Sequence, residues 1–229
     1  MIDKIIKEIQ KMSKAIYILG TTGTGEQTLC LYKDLGKFKV VAGFIKENCR
    51  RKDLKIQGIP VMDASIIDTL PRDSVFIGAM GSPKRKRWIE EIEAKGFDFD
   101  TLVHPSVIKD KSLSMGKGCI IYPGVIITSH VEMKRHSIIN INSTIGHNSK
   151  IGNFVTICPG VNIGGYVTIG DECWIGIGAT IIHNVAIGKG SYIGAGSVVT
   201  KDIPENVLAF GVPAKPVREL KKSDWKKMV

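Results

Sequence analysis

Five histidines, at positions 104, 130, 136, 147 and 183, are the side chains best suited to move protons near neutral pH, because unperturbed imidazole titrates there. His147 stands in the run Ile145-Gly146-His147-Asn148. An imidazole beside an attacking amine or hydroxyl is a general base; a solvated histidine at a turn is the plainer alternative. His104 precedes Pro105, which suits a structural turn, while His130 and His136 flank the charged residues Glu132, Lys134 and Arg135 and read as exposed. No pair of histidines has a carboxylate at transition-metal spacing, so no metal site is expected. A second candidate locus is the turn Gly20-Thr21-Thr22-Gly23-Thr24-Gly25, which follows the apolar run AIYILG at 15–20. There the N–H groups of a helix start can meet a phosphate. The glycine spacing is not GxGxxG, and a lone glycine-rich turn is weak evidence on its own.

The elements that must position these residues are set by a repeat. Stepping by six from Val103 to Val199 gives seventeen positions, and sixteen are aliphatic, Lys109 being the exception. Glycine follows eight of them, as at Gly116, Gly146, Gly164 and Gly194. Four residues after each aliphatic comes a small or β-branched residue such as Val125, Val155, Val161, Ala179 or Ser197. Each hexapeptide is then a short strand plus a corner, with the aliphatic side chain inward and stacked on its equivalents. One such strand cannot bury its face alone, so periodicity implies a solenoid over 103–204. His147, at the third position of its hexapeptide, projects outward near a corner.

Residues 14–102 have a different rhythm. The strand 15–20, a helical segment near 26–36 and the strand 39–45 make a βαβ start, and 74–81 reads as a further strand before a basic helix at 83–95. We read 14–102 as a small Rossmann-like α/β domain. Residues 1–13 place Ile2, Ile5, Ile6, Ile9 and Met12 at helical spacing, which reads as a docked amphipathic helix rather than a membrane anchor. The formal charge of +10 is spread over both halves and the basic tail, 205–229. A nucleic-acid binder concentrates such charge in one stripe, so attraction of phosphate-bearing small molecules, or simple solubility, fits better. The cysteines at 30, 49, 119, 158 and 173 form no CxxC pair and read as buried free thiols of a reducing cytoplasm. No apolar run of spanning length occurs, so no stable membrane insertion is expected.

The in-phase repeat resembles the hexapeptide-repeat acyltransferases. The join through Leu102-Val103-His104-Pro105, and the closing Gly211-Val212-Pro213-Ala214-Lys215, look like one group within them: bacterial sugar acetyltransferases with an N-terminal Rossmann-like domain. That group includes N-acetyltransferases of nucleotide-linked amino sugars and relatives of the sialic acid O-acetyltransferase type. The resemblance implies an all-β left-handed parallel β-helix with three hexapeptides per coil, acetyl-CoA as cosubstrate, and a homotrimer with the coenzyme between adjacent β-helices. The acceptor it implies is a nucleotide-linked sugar used in bacterial surface glycan biosynthesis.

With 18 residues per coil, Ser129, His147, Gly165 and His183 fall on one edge, about 4.8 Å apart from coil to coil. The family has its catalytic histidine at His147 and an acetyl-binding glycine at Gly165, whose N–H would meet the thioester oxyanion. His183 is two coils away and cannot orient His147. The family has Asp or Glu where this chain has Asn148, so Asn148 would orient the ring without supplying charge; Glu132 and Asp110 are candidate replacements. The resemblance matches Gly20, Thr22, Gly23 and Thr24 to a nucleotide-sugar turn, Ala79, Met80 and Gly81 to a second contacting loop, and Asn140 to a substrate-binding asparagine. For the coenzyme it points to Thr156, Gly165, Ile177 and Ala195, although any coil needs residues like the last two. Thr24 stands where relatives often have His, and Lys46-Glu47 where they often have acids, so the nucleotide stays open. Transfer to an amine is favoured, transfer to a sugar hydroxyl is the second reading, and an inactive trimeric scaffold is the third.

Overall fold

Two residues of strand and four of corner leave a hexapeptide one inward side chain in its strand, and the backbone shows what that side chain meets. In a computed structural model, which describes residues 14–51 and 53–221, all seventeen step-six positions are the second residue of a two-residue strand. Each strand pairs in parallel with the strand eighteen residues away: Ile121 with Ile139, Ile127 with Ile145, Ile151 with Ile169. Three strands therefore complete one coil, and the chain builds a parallel β-solenoid of the left-handed β-helix type. Backbone bonds between coils, such as Gly146 N–H to the Ile163 carbonyl at 2.8 Å, saturate the strands. Inside run columns of buried isoleucine, Ile121–Ile139–Ile157–Ile175–Ile193 among them, with Val125, Val155, Val161 and Ala179 filling the corners. Lys109 keeps the interior register yet is exposed, because its strand belongs to the first coil and pairs on one side only. A charge is tolerated at that open end and would not be in mid-stack.

The three faces differ in their outward residues. On the first face Leu102, Ile120, Ile138 and Thr156 are all buried. The third presents Ser114, Glu132, Lys150, Thr168 and Ala186 to solvent. The second begins with exposed Ile108 and Ile126 and continues through Thr144 and Asn162. Strand pairing also runs past residue 204. Val207–Gly211 adds in parallel to Tyr192–Ile193 and turns back antiparallel as Ala214–Glu219. Part of the expected tail is thus a hairpin extending the first face, and carries Lys215 and Arg218; Lys222, Lys226 and Lys227 lie outside the described residues.

The chain divides into two units, one running up to Met80 and resuming for Arg85–Asp100, the other comprising Gly81–Lys84 and the chain from Thr101 onward. The first is a six-stranded sheet of β1 (Ile16–Leu19), β2 (Val41–Lys46), β3 (Lys55–Ile56), β4 (Ile59–Asp63), β5 (Val75–Gly78) and β6 (Asp98–Phe99), in the order β3-β4-β2-β1-β5-β6. All pairs are parallel except β3–β4. Its helices are α1 (Gly23–Asp34) and α2 (Arg85–Ala94), each within a few residues of its expected bounds. β1 is buried throughout, as a central parallel strand must be. The expected helix at 1–13 lies outside the described residues. Among the described residues no helix is long and apolar enough to cross a membrane.

The cysteine expectation needs correction. Cys119, Cys158 and Cys173 are buried in the solenoid, but Cys30 is exposed on α1 and Cys49 is half-buried, because α1 packs only one face on the sheet. Burial pushes the Cys158 and Cys173 thiols up to about 12. Iodoacetamide at pH 8 should therefore label Cys30 in the native protein and spare Cys158 and Cys173 until denaturant is added, as peptide mass mapping would read. Ile169→Ala, in the middle of the stack and 1% exposed, should cost about 2–5 kcal/mol in urea unfolding. A loss under about 1 kcal/mol would show that the interior column does not carry the stability assigned to it.

Candidate active site

The corner at 146–149 joins Thr144–Ile145 to Lys150–Ile151. Asn148 turns it with φ of 60° and donates its N–H to the Ser129 carbonyl one coil back, at 3.0 Å. Its side-chain Oδ1 lies 3.0 Å from His147 Nδ1. An amide oxygen only accepts, so in the neutral ring this contact favours the tautomer with the proton on Nδ1, the one that leaves Nε2 the lone pair a base needs. The Nε2 side of the ring faces Gly165: a methyl group there would stand 2.7 Å from both Cε1 and Nε2. A glycine is required at 165 by this approach, since any side chain would drive the imidazole away. The main chains are tied together, Tyr166 N–H donating to the His147 carbonyl at 2.8 Å and Asn184 N–H to the Gly165 carbonyl at 3.0 Å. Among the described residues the Gly165 N–H has no protein partner, which leaves a donor on the residue that the His147 ring faces.

One neighbour lies outside the residues expected from sequence. The Tyr166 ring meets the His147 ring edge-on, with centroids 5.1 Å apart and planes at 87°. The available signal is its place eighteen residues after Asn148, directly following Gly165. Neither candidate acid makes a hydrogen bond to His147. The Asp110 carboxylate accepts from the hydroxyl and N–H of Ser112, and those bonds hold it below the usual carboxylate range. Glu132 lies on the third face, opposite Lys150.

The other expected site residues in the solenoid lie elsewhere. Asn140 sits on the preceding edge, between first and second faces, and its Oδ1 accepts from the Ile141 N–H at 2.9 Å. Ile177, 58% exposed, and Ala195 occupy that same edge one coil apart. Thr156 is 2% exposed and donates its hydroxyl to the Gly81 carbonyl at 2.6 Å. It belongs to the buried outward column of the first face, so its hydroxyl is spent on anchoring Gly81. Within one chain the fold thus joins His147, Asn148 and Gly165, and separates them from Asn140, Ile177 and Ala195. His183, exposed on the same edge, lies one coil beyond Gly165.

In the α/β unit the glycine-rich turn follows β1 and leads into α1. Thr22 is the N-cap in extended conformation, its side chain making no cap bond, and the first intrahelical bond runs from Glu26 N–H to the Thr22 carbonyl. Thr22 and Gly23 are both exposed, and a methyl on Gly23 would meet nothing within 4 Å. Gly20 has φ of +106° and lies so close to the end of β5 that a methyl would come 2.8 Å from the Ala79 carbonyl and 2.7 Å from Met80 Cγ. The turn after β1 and the loop after β5 are therefore in contact. β1 has β2 on one side and β5 on the other, which makes this the switch point where parallel sheets open a crevice. Among the described residues no group of three or more His, Cys, Asp and Glu side chains could hold a metal.

Comparison with known proteins places these features among relatives. Residues 166–201 match the family model for the bacterial transferase hexapeptide, six repeats. The chain is 37% identical over 160 residues to a GDP-perosamine N-acetyltransferase of Escherichia coli O157:H7, across 69% of this chain and 64% of that protein. It is 36% identical over 135 residues to the galactoside O-acetyltransferase of Escherichia coli K12, across 56% of this chain and 55% of the relative. It thus spans less than two thirds of the length of these curated relatives. Among solved structures, PerB from Caulobacter crescentus in complex with CoA and GDP-perosamine superposes with a TM-score of 0.83 at 27% identity, covering 90% of this chain and 99% of that one. The acetyltransferase domain of PglB from Neisseria gonorrhoeae with acetyl coenzyme A gives 0.81 at 27% identity, covering 90% and 100%. The repeat that winds the solenoid is thus the feature this chain shares with bacterial hexapeptide transferases, and by sequence and fold it is similar to hexapeptide-repeat sugar acetyltransferases.

Proposed function

We propose that this chain is an acetyl-CoA-dependent N-acetyltransferase acting on a nucleotide-linked amino sugar, in the service of bacterial surface glycan biosynthesis. The observation that carries the proposal is the His147 ring, held at Nδ1 by Asn148 Oδ1 and facing the side-chain-free Gly165. The sugar amine attacks the thioester carbonyl carbon while His147 Nε2 removes its proton, and the Gly165 N–H receives the oxyanion. Collapse breaks the carbon–sulfur bond, and the imidazolium returns the proton to the leaving thiolate, giving the amide and free CoA. No acyl-enzyme is needed.

The α/β unit is read as a truncated Rossmann-like domain that holds the nucleotide at its switch point. Gly20, Thr22, Gly23 and Thr24 would offer α1 N–H groups to the phosphates, with Ala79 and Met80 as the second wall. Thr156 then serves by fixing Gly81 rather than by touching coenzyme. The separate edges of His147–Gly165 and of Asn140, Ile177 and Ala195 fit a homotrimer in which one protomer's edge faces the other edge of its neighbour across the coenzyme. The fold similarity to chains solved with CoA and GDP-perosamine supports both ligand classes.

Acetylation of a sugar hydroxyl has one observation in its favour, the similarity to galactoside O-acetyltransferase. Asn148 argues the other way: a hydroxyl is a poorer nucleophile than an amine and asks more of its base, and an amide supplies orientation without charge. Thiol release from acetyl-CoA with amino sugars and their hydroxyl counterparts, on UDP, dTDP, GDP and CMP, separates the two; faster turnover of the hydroxyl sugars would reverse the assignment. His147→Ala should lower kcat by about 10²–10⁴-fold with the fold intact by circular dichroism, and full activity in that variant would remove the mechanism. Gly165→Ala should swing the imidazole out of its slot, seen crystallographically as loss of the Asn148 contact, and reduce turnover about a hundredfold.

A further inference from the structure

Tyr166 occupies a corner where the backbone disfavours it. Its φ is +58°, and the equivalent positions one coil to either side are Asn148 at 60° and Asn184 at 58°. Asparagine tolerates this left-handed conformation because its short side chain bonds locally, whereas a bulky residue there is an outlier. Among the described residues Phe154, at 56°, is the other phenyl-bearing side chain that shares it. Phe154 has a packing reason: it is 1% exposed, stacked on His136 at 5.1 Å and covered by the Arg135 guanidinium at 5.3 Å. Tyr166 is 57% exposed in the single chain, so packing within the chain does not explain it. The ring contact found for it is the edge-on packing with His147.

The geometry points to Tyr166 as a positioning residue for the base, a proposal that rests on His147 acting as that base. Asn148 Oδ1 fixes one nitrogen of the imidazole but leaves the ring a hinge about its own bond to the chain, and Gly165 offers no side chain to stop it. The Tyr166 ring closes that freedom, so Nε2 stays directed at Gly165. Hydrogen bond and aromatic wall together do what a carboxylate would otherwise do through charge. The wall needs the ring and not the hydroxyl.

The test compares Tyr166→Asn, which installs the residue of both neighbouring coils, with Tyr166→Phe, in the full chain. Imidazole ¹⁵N spectra of the unliganded protein should show His147 protonated at Nδ1 in the parent and in Tyr166→Phe, and a mixture of tautomers in Tyr166→Asn. With acetyl-CoA and GDP-perosamine as probe, kcat should fall about three- to tenfold in Tyr166→Asn, the range expected for one ring contact. The KM for acetyl-CoA should stay within about twofold, the melting temperature should not fall, and Tyr166→Phe should retain the parent rate. In a His147→Ala background, Tyr166→Asn should add no further loss. An unchanged tautomer in Tyr166→Asn overturns the proposal. So does an equal loss in Tyr166→Phe, or an undiminished penalty without His147. Full activity in His147→Ala alone would instead overturn the assignment of the base, so the two failures are told apart.

Discussion

The whole solenoid hangs on one constraint: its strands are bonded to the strands eighteen residues before and after them. Strand edges left unpaired would isolate N–H and carbonyl groups, and the bonds between coils, such as Ile138 N–H to the Val155 carbonyl at 2.8 Å, remove that cost one coil at a time. Once the ladder is in register, each inward isoleucine lies on another, and burial of each contributes roughly 1.5–3 kcal/mol. Slippage by one residue would turn the entire interior set outward. The unbroken repeat of six from Val103 to Val199 follows from that penalty.

The same ladder makes the edges into columns whose chemistry is decided residue by residue. His147 and Gly165 are adjacent because the backbone places them so, with Tyr166 N–H on the His147 carbonyl and Asn184 N–H on that of Gly165. A catalytic group on such a column is held by a rigid scaffold, which is what proximity catalysis requires. The column's other members then either leave room, as Gly165 does, or contact the ring, as Asn148 and Tyr166 do. A site built this way needs few specialised residues, and its neighbours can change from coil to coil without disturbing the interior.

The α/β unit is held together differently. Its central parallel strand is buried on both sides, and the turn after β1 can approach the loop after β5 because Gly20 has no side chain there. The glycine-rich turn thus sits where the sheet's topology opens, while the His147–Gly165 pair sits where a coil turns. Thr156, which the resemblance assigns to the coenzyme, has its hydroxyl on the Gly81 carbonyl and is closed to solvent.

Sequence by itself determined the solenoid, its register, and the pairing of His147 with Gly165 once the coil length was supplied by resemblance. Those follow from periodicity, and periodicity is written in residue types. It also located β1, β2, β5 and both helices, whose apolar runs and glycine breaks are local signals. It could not tell the three faces apart, since the outward residue of each strand is not constrained by the repeat; only packing made Ile120 and Ile138 buried and left Ile108 and Ile126 exposed. Nor could it foresee that residues after 204 return as a hairpin, because the strand Val207–Gly211 abandons the six-residue step. Most of all, tertiary structure decided what touches the His147 ring. The ring contact of Tyr166 and the short reach of Asn148 Oδ1 depend on side-chain direction at left-handed corners, a property of three-dimensional geometry that residue spacing does not carry.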